Sequence, residues 1–265
     1  MADHYNLYPL KHFAAIVADA MEIELPDGYE KTIPWVSSIL KERLGAKADR
    51  AVLYHADAVG MYIWQKFTNL FAPVYRYSSL SVPFLSTVQS VTPVAHASMY
   101  TGLDPAGHGI ETYVRPKLNC STLFDVLIEN SKKTAIIAQT DSTFLHIFAG
   151  RELDYFECKN NIEIREKALE LIKADVYDVI SIHTFDYDNA AHAYGPESKE
   201  GLNAISIEAE TYALIAKELE KQKDKYKILL TYSPDHGQHL TEGGTGTHGS
   251  KLIEDMNVLH FFHTF

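Results

Sequence analysis

The residues of this chain whose types and spacing could do chemistry are Asp57, Thr92, Asp188, His192, Asp235, His236 and His248. Asp188 and His192 stand four apart in AspAsnAlaAlaHisAlaTyrGlyPro (188–196). On a turn or short helix that spacing points a carboxylate and an imidazole the same way and lets them share one ion. Asp235 and His236 supply an adjacent carboxylate and imidazole, with Gly237 permitting a tight backbone path behind them. His248 lies in GlyGlyThrGlyThrHisGly (243–249), a stretch with no side chains from which to build a core. In GlnSerValThrProValAlaHisAlaSerMetTyrThrGly (89–102), Pro93 suits the first helical position and Gly102 the left-handed residue past the end, so Thr92 is expected as the N-cap. A hydroxyl there faces free backbone N–H groups and the positive end of the helix dipole, a setting that stabilises an alkoxide or a bound phosphate. Each piece also has a plainer reading: a capping threonine, a solvated loop, a surface histidine. Their force comes from being taken together.

The elements that must position them alternate. Short apolar runs read as buried strands at 51–56, 134–139, 178–183 and 227–232, with a weaker one at 257–262. Helical stretches are expected near 34–44, 58–71, 93–101, 122–131, 162–174 and 203–222, the last with Ile207, Leu214, Ile215 and Leu219 on one stripe. This pattern predicts a doubly wound α/β fold: a mostly parallel sheet with helices on both faces and no large cap domain. Asp57 comes just after the first of these runs, Asp188 a few residues beyond 178–183, and Asp235-His236 two residues after 227–232. All three acidic positions therefore fall at carboxyl ends of parallel strands, the edge where open α/β sheets bind ligands.

With 265 residues, 46% hydrophobic and 22% charged, the chain can bury one α/β core. Residues 1–265 are expected to form a single catalytic domain, 1–45 being an N-terminal helical extension packed on it. No window is long and apolar enough to span a bilayer, and the start MADHYNLYPLKH has neither a basic nor an apolar leader segment, so a cytoplasmic protein without a membrane partner is expected. A net charge of −11 without a Lys/Arg block excludes nonspecific binding to nucleic acid polymers. Cys120 and Cys158 have no paired spacing and read as reduced thiols. The oligomeric state is not legible.

The order of the motifs resembles the alkaline phosphatase superfamily, in its type I phosphodiesterase/nucleotide pyrophosphatase branch. The resemblance runs from about residue 50 to 255 and rests on HisAlaAsp at 55–57, ThrProValAlaHisAlaSerMetTyrThrGlyLeuAspProAlaGlyHisGlyIle at 92–110, Asp188 to Pro196, SerProAspHisGly at 233–237 and GlyThrHisGly at 246–249. It implies two divalent ions: one held by Asp188, His192 and His248, the other by Asp57, Asp235, His236 and the Thr92 oxygen. A mixed nitrogen and oxygen set suits zinc, with manganese and iron as alternatives. The implied chemistry is hydrolysis of a small-molecule phosphate ester. Thr92, deprotonated against its metal, attacks phosphorus to give a phosphothreonine, which a water activated by the other ion then hydrolyses.

Three carboxylates alone would repel a phosphate. Two divalent ions leave one net positive charge, which a Thr92 alkoxide cancels, and such a site favours a diester monoanion over a monoester dianion. Within the superfamily, a phosphomonoesterase or a phosphomutase is the alternative, and a catalytically silent metal- or anion-binding module is the alternative outside enzymes. This chain carries Ala95 where nucleotide-cleaving members usually carry an asparagine, so His96, one turn after Thr92, is expected to bind substrate in its place. Arg115 and Lys117 are the nearest basic residues in sequence to the Thr92 helix, and Arg115 is expected to bind substrate too. Ser90 is a second, weaker candidate nucleophile, and His55, His183, Asp186 and His239 are candidates to orient the metal ligands.

Overall fold

A computed structural model describes residues 4–265. Its strands are β1 (Tyr8–Pro9), β2 (Arg50–Ala56), β3 (Leu80–Leu85), β4 (Thr134–Gln139), β5 (Asp154–Cys158), β6 (Val179–Thr184), β7 (Ile228–Tyr232), β8 (His239–Leu240), β9 (Gly246–Thr247) and β10 (Asn257–Thr264). Eight of them form one sheet in the order β1-β3-β10-β7-β2-β6-β4-β5, while β8 and β9 make a separate antiparallel hairpin. Within the large sheet only β10 runs antiparallel to its neighbours.

Side chains alternate across a strand, and here both faces are covered, which is why the central strands read as unbroken apolar runs. Ala51 and Leu53 of β2 enter one core with Phe13, Ile16, Val36, Leu40 and Val94. Val52 and Tyr54 enter the other with Ile164, Leu171, Ile205, Tyr212 and Ile215. The helices Phe13–Ala20, Pro34–Leu44 and Thr92–Thr101 thus cover one face, and Asn161–Ala174 and Lys199–Glu220 the other. Among the described residues no helix is long and apolar enough to cross a membrane.

The expected strands are present within two residues at each end. The expected helix at 58–71 is instead broken into Met61–Lys66, a 3-10 turn at Thr68–Phe71 and a further turn at Ala72–Arg76. Its start is delayed because Ala58 adopts a left-handed backbone (φ 64°), which turns the chain sharply after Asp57. The N-terminal stretch carries the helices Phe13–Ala20 and Pro34–Leu44 and also adds β1 to the sheet edge beside Phe84 and Leu85. Three strands of the large sheet lack the expected signal. Pro83 interrupts β3, tolerated because β1 covers only Phe84 and Leu85, leaving Pro83 with a neighbour on one side. β5 is an edge strand, partly exposed and acidic, and β1 is two residues long.

Candidate metal centre

The strand order sets the site. β2 lies between β7 and β6, so Asp57 at its carboxyl end comes between Asp235-His236, beyond β7, and Asp188, at the start of the helix Asp186–Tyr194 that follows β6. The structure gathers two groups whose ligating atoms lie within 4.8 Å of one another: Asp57, Asp235 and His236, all buried, and Asp188, His192 and His248, more exposed. The groups abut, since the His236 and His248 rings stack with centroids 4.2 Å apart.

Thr92 opens its helix one residue earlier than expected. Val91 is the N-cap and makes no side-chain cap bond, while Pro93 still falls in the first turn and Gly102 closes the helix at φ 68°. The Thr92 hydroxyl is therefore free of capping. It donates toward Asp57 Oδ2 at 3.4 Å and lies 3.3 Å from His236 Nε2. Ser90 Oγ, the second candidate, donates instead to the Ser250 carbonyl at 2.9 Å. Asp235 is oriented by its Oδ1, which accepts the backbone N–H groups of Ala58 (3.2 Å) and His236 (3.0 Å). Gly237 cannot be replaced without moving backbone: a Cβ there would sit 1.9 Å from the Glu254 carbonyl oxygen.

The three imidazoles are fixed in one tautomer. Nδ1 of His192, His236 and His248 faces the carbonyl of Gly246 (3.1 Å), Gly237 (3.1 Å) and Ser90 (3.0 Å) respectively. A carbonyl only accepts, so Nδ1 carries the hydrogen and the neutral ring presents a lone pair at Nε2. Yet those Nε2 atoms face carboxylate oxygens, which also only accept. His236 Nε2 is 3.4 Å from Asp57 Oδ1 and 3.3 Å from Asp235 Oδ2. His192 and His248 Nε2 lie 3.4 and 3.6 Å from Asp188 Oδ1. Acceptors so opposed need a cation between them or a proton on the ring.

Burial works against the proton at two of the three. It lowers the His236 pKa, and together with the neighbouring His236 it holds His248 down to about 4. His192, hydrogen-bonded to Asp188, is raised instead. Burial, then the charges of Asp235 and Asp188, push Asp57 well above the usual carboxylate range, and burial raises Asp235 to about 6. Burial also pushes Asp188 up, but His192 and His248 outweigh it and the net displacement is downward. Asp57 Oδ1 and Asp235 Oδ2 are buried without a hydrogen-bond partner. Unpartnered carboxylate oxygens facing neutral imidazole lone pairs form a donor set that fits divalent cations of zinc's type.

A cleft of about 710 Å³ opens over the site, lined by Thr92, Asp57, Asp188, His192, Arg115 and Tyr113 among others. Arg115 is thus brought to the cleft, with its Nη1 donating to the Asp141 carbonyl at 3.0 Å. His96 is not. It is wholly buried, packs on Phe144, and has its Nε2 3.5 Å from Asp235 Oδ2, so it stands behind the carboxylates rather than at the substrate. The helix carries it one turn past Thr92 but rotates it toward the sheet. His183 Nε2 lies 3.3 Å from Asp57 Oδ2 and also lines the cleft. His55 bonds Ser233 and Tyr100, and His239 pairs with Asp255 at 2.8 Å, so neither touches a ligand directly. Sequence reasoning missed Gln238, which donates to Asp188; its position right after AspHisGly was the available signal.

Solved structures place this architecture. The C-terminal periplasmic domain of a phosphoethanolamine transferase from Campylobacter jejuni superposes with a TM-score of 0.60 at 16% identity, covering 82% of this chain and 79% of that one. Murine ectonucleotide pyrophosphatase/phosphodiesterase 5, in an inactive form in complex with AMP, gives 0.56 at 14% identity over 74% of this chain and 59% of that one. The large, mostly parallel sheet with helices around it matches an alkaline phosphatase-like α/β core. A third structure of this alkaline phosphatase-like fold, phosphonoacetate hydrolase from Sinorhizobium meliloti in complex with phosphonoacetate, gives 0.53 at 16% identity over 71% of this chain and 56% of that one. The chain therefore spans under two thirds of the length of the pyrophosphatase and phosphonate hydrolase structures it matches. No family model and no curated protein matches the sequence.

Proposed function

We propose that this chain is a two-metal phosphoric-ester hydrolase acting on a small-molecule diester or pyrophosphate, with Thr92 as nucleophile. The observation that carries the reading is the placing of His192, His236 and His248 Nδ1 on backbone carbonyls, which leaves their Nε2 atoms converging on carboxylates beside a buried, uncapped threonine hydroxyl. Asp188, His192 and His248 would hold one ion, and Asp57, Asp235 and His236 the other. Divalent ions bound there would neutralise the carboxylates and polarise a phosphoryl group. The fold neighbours bound to AMP and to phosphonoacetate support a small phosphorus-containing substrate.

Thr92 does the covalent work. Asp57 Oδ2 accepts its hydrogen bond, which fixes the direction in which the hydroxyl oxygen presents its lone pairs. In-line attack forms the bond from Oγ1 to phosphorus as the bond to the leaving oxygen breaks. The hydroxyl proton passes to Asp57 Oδ2, and the leaving group departs as an alkoxide or phosphate that takes up a proton from water. Water then cleaves the phosphothreonine, releasing phosphate or a monoester and restoring the hydroxyl. Arg115, in the cleft wall, offers a fixed positive charge to the rest of the substrate.

The test compares zinc-loaded protein on aryl phosphate diesters and on the matching monoesters. The diester is expected to give the higher kcat/KM, by about tenfold or more, a difference of roughly 1.4 kcal/mol in transition-state stabilisation. A clear monoester preference would overturn the diester assignment and leave a phosphomonoesterase.

A further inference from the structure

We propose that Gln238 is a positioning residue that fixes the Asp188 carboxylate in its ion-facing orientation through the hairpin of β8 and β9, an inference that rests on the metal-centre reading above. Gln238 is completely buried. Its Nε2 donates to the main-chain oxygen of Asp188 at 3.3 Å and also to Asp188 Oδ1. Oδ1 is the oxygen that faces both His192 and His248, so a donor anchored on it decides the rotation of the carboxylate.

The orientation of the amide follows from its partners. Turned over, it would set Oε1 against two oxygens and lose both bonds. In its present orientation Oε1 is buried with no hydrogen-bond partner, a cost that an apolar side chain of the same length would avoid. The amide is therefore retained for what its N–H groups do to Asp188.

Gly246 of β9 completes the clamp. A Cβ there would come within 2.5 Å of Gln238 Oε1 and 2.5 Å of the Ala191 carbonyl, so only glycine lets the strand lie against the amide and the Asp186–Tyr194 helix together. The Gly246 carbonyl receives His192 Nδ1 at 3.1 Å, and His248 lies just beyond β9. One hairpin, with Gln238 at its entrance, thus orients Asp188 and His192 and leads into His248, whose Nδ1 faces the Ser90 carbonyl. The other group needs no such device, because backbone N–H groups hold Asp235.

The experiment strips the protein of metal, reloads it with zinc, and measures the affinity of each bound ion by chelator competition for wild type and Gln238→Met. Methionine keeps the length and removes both donors. The expected result is one zinc held about 10- to 100-fold more weakly and the other unchanged, as for loss of a group that orients a ligand. Wild-type affinity for both ions would overturn the proposal. Wild-type protein that takes up no zinc would overturn the metal-centre reading itself, and this inference with it. Should Gln238→Met fail to fold, NMR of the wild type decides. The Gln238 side-chain NH2 should be protected from solvent exchange and shift on zinc addition, and an exchanging, zinc-insensitive NH2 overturns the proposal.

Discussion

The two ligand groups are built differently. Asp57, Asp235 and His236 form the floor of the site: they are buried, with Asp57 lining the cleft itself, and each comes directly off a sheet strand or the turn after it. Asp188, His192 and His248 form its mouth, where His192 is exposed and the residues are carried by a helix and a hairpin. In the floor the carboxylates are pushed up by burial and mutual repulsion, so an ion there relieves a larger electrostatic cost than one at the mouth, where solvent already screens the charge. On the proposed two-ion reading, the floor would hold the tighter ion, beside Thr92, and the mouth the more adjustable one.

The largest effect expected from breaking that division is at Thr92. Thr92→Ala should lower turnover by roughly 10³-fold or more while both ions remain, measured as kcat alongside elemental analysis. Rates near wild type would remove the floor from the chemistry altogether. Ranked next are the ligands themselves. His236→Ala should weaken one zinc by about 100-fold and His192→Ala the other by about tenfold, read by chelator competition. Equal losses would mean that burial does not distinguish the two groups.

The smallest effect sharpens the contrast from below the mouth. Glu208, wholly buried, accepts the Tyr187 N–H at 3.4 Å and the Asn161 amide at 3.3 Å, beneath the helix that carries Asp188. Burial, then the charge of Asp186, raises its pKa to about 8 from an ordinary 4.5. The folded state then holds a proton that the unfolded chain releases above pH 4.5. Stability contributed this way is therefore lost as pH rises from about 4.5 to about 8, by up to about 1.4 kcal/mol per pH unit. Denaturant melts of Glu208→Gln across that window should show the slope flattened. An unchanged slope would show that the support under the mouth carries no such proton.

Much of this arrangement is legible in the amino-acid order because it depends on local signals. Apolar runs at 134–139 and 227–232 mark strands buried on both faces, and an acidic residue soon after such a run falls at the ligand-binding edge. The pairing of ligands into two groups follows once β2 is known to lie between β6 and β7. What escapes the sequence depends on contacts between distant residues. Gln238 is defined by an Asp188 fifty residues away; its place after AspHisGly puts it near the site, but the partner it meets is set by the fold. His96 is one turn beyond Thr92, but whether it meets substrate or sheet is set by the rotation of the helix on Phe144 and Asp235. β3 and β5 are hidden because edge-side strands need no unbroken apolar run, and Pro83 or acidic residues can stand in them.

The stacked rings of His236 and His248 have one more consequence. Each ring serves a different ligand group, yet neither can be re-aimed without displacing the other face to face. For a pair of cations, the first to bind would steady the ring that the second requires, and thermodynamic reciprocity makes that assistance equal in both directions while each group keeps its own affinity.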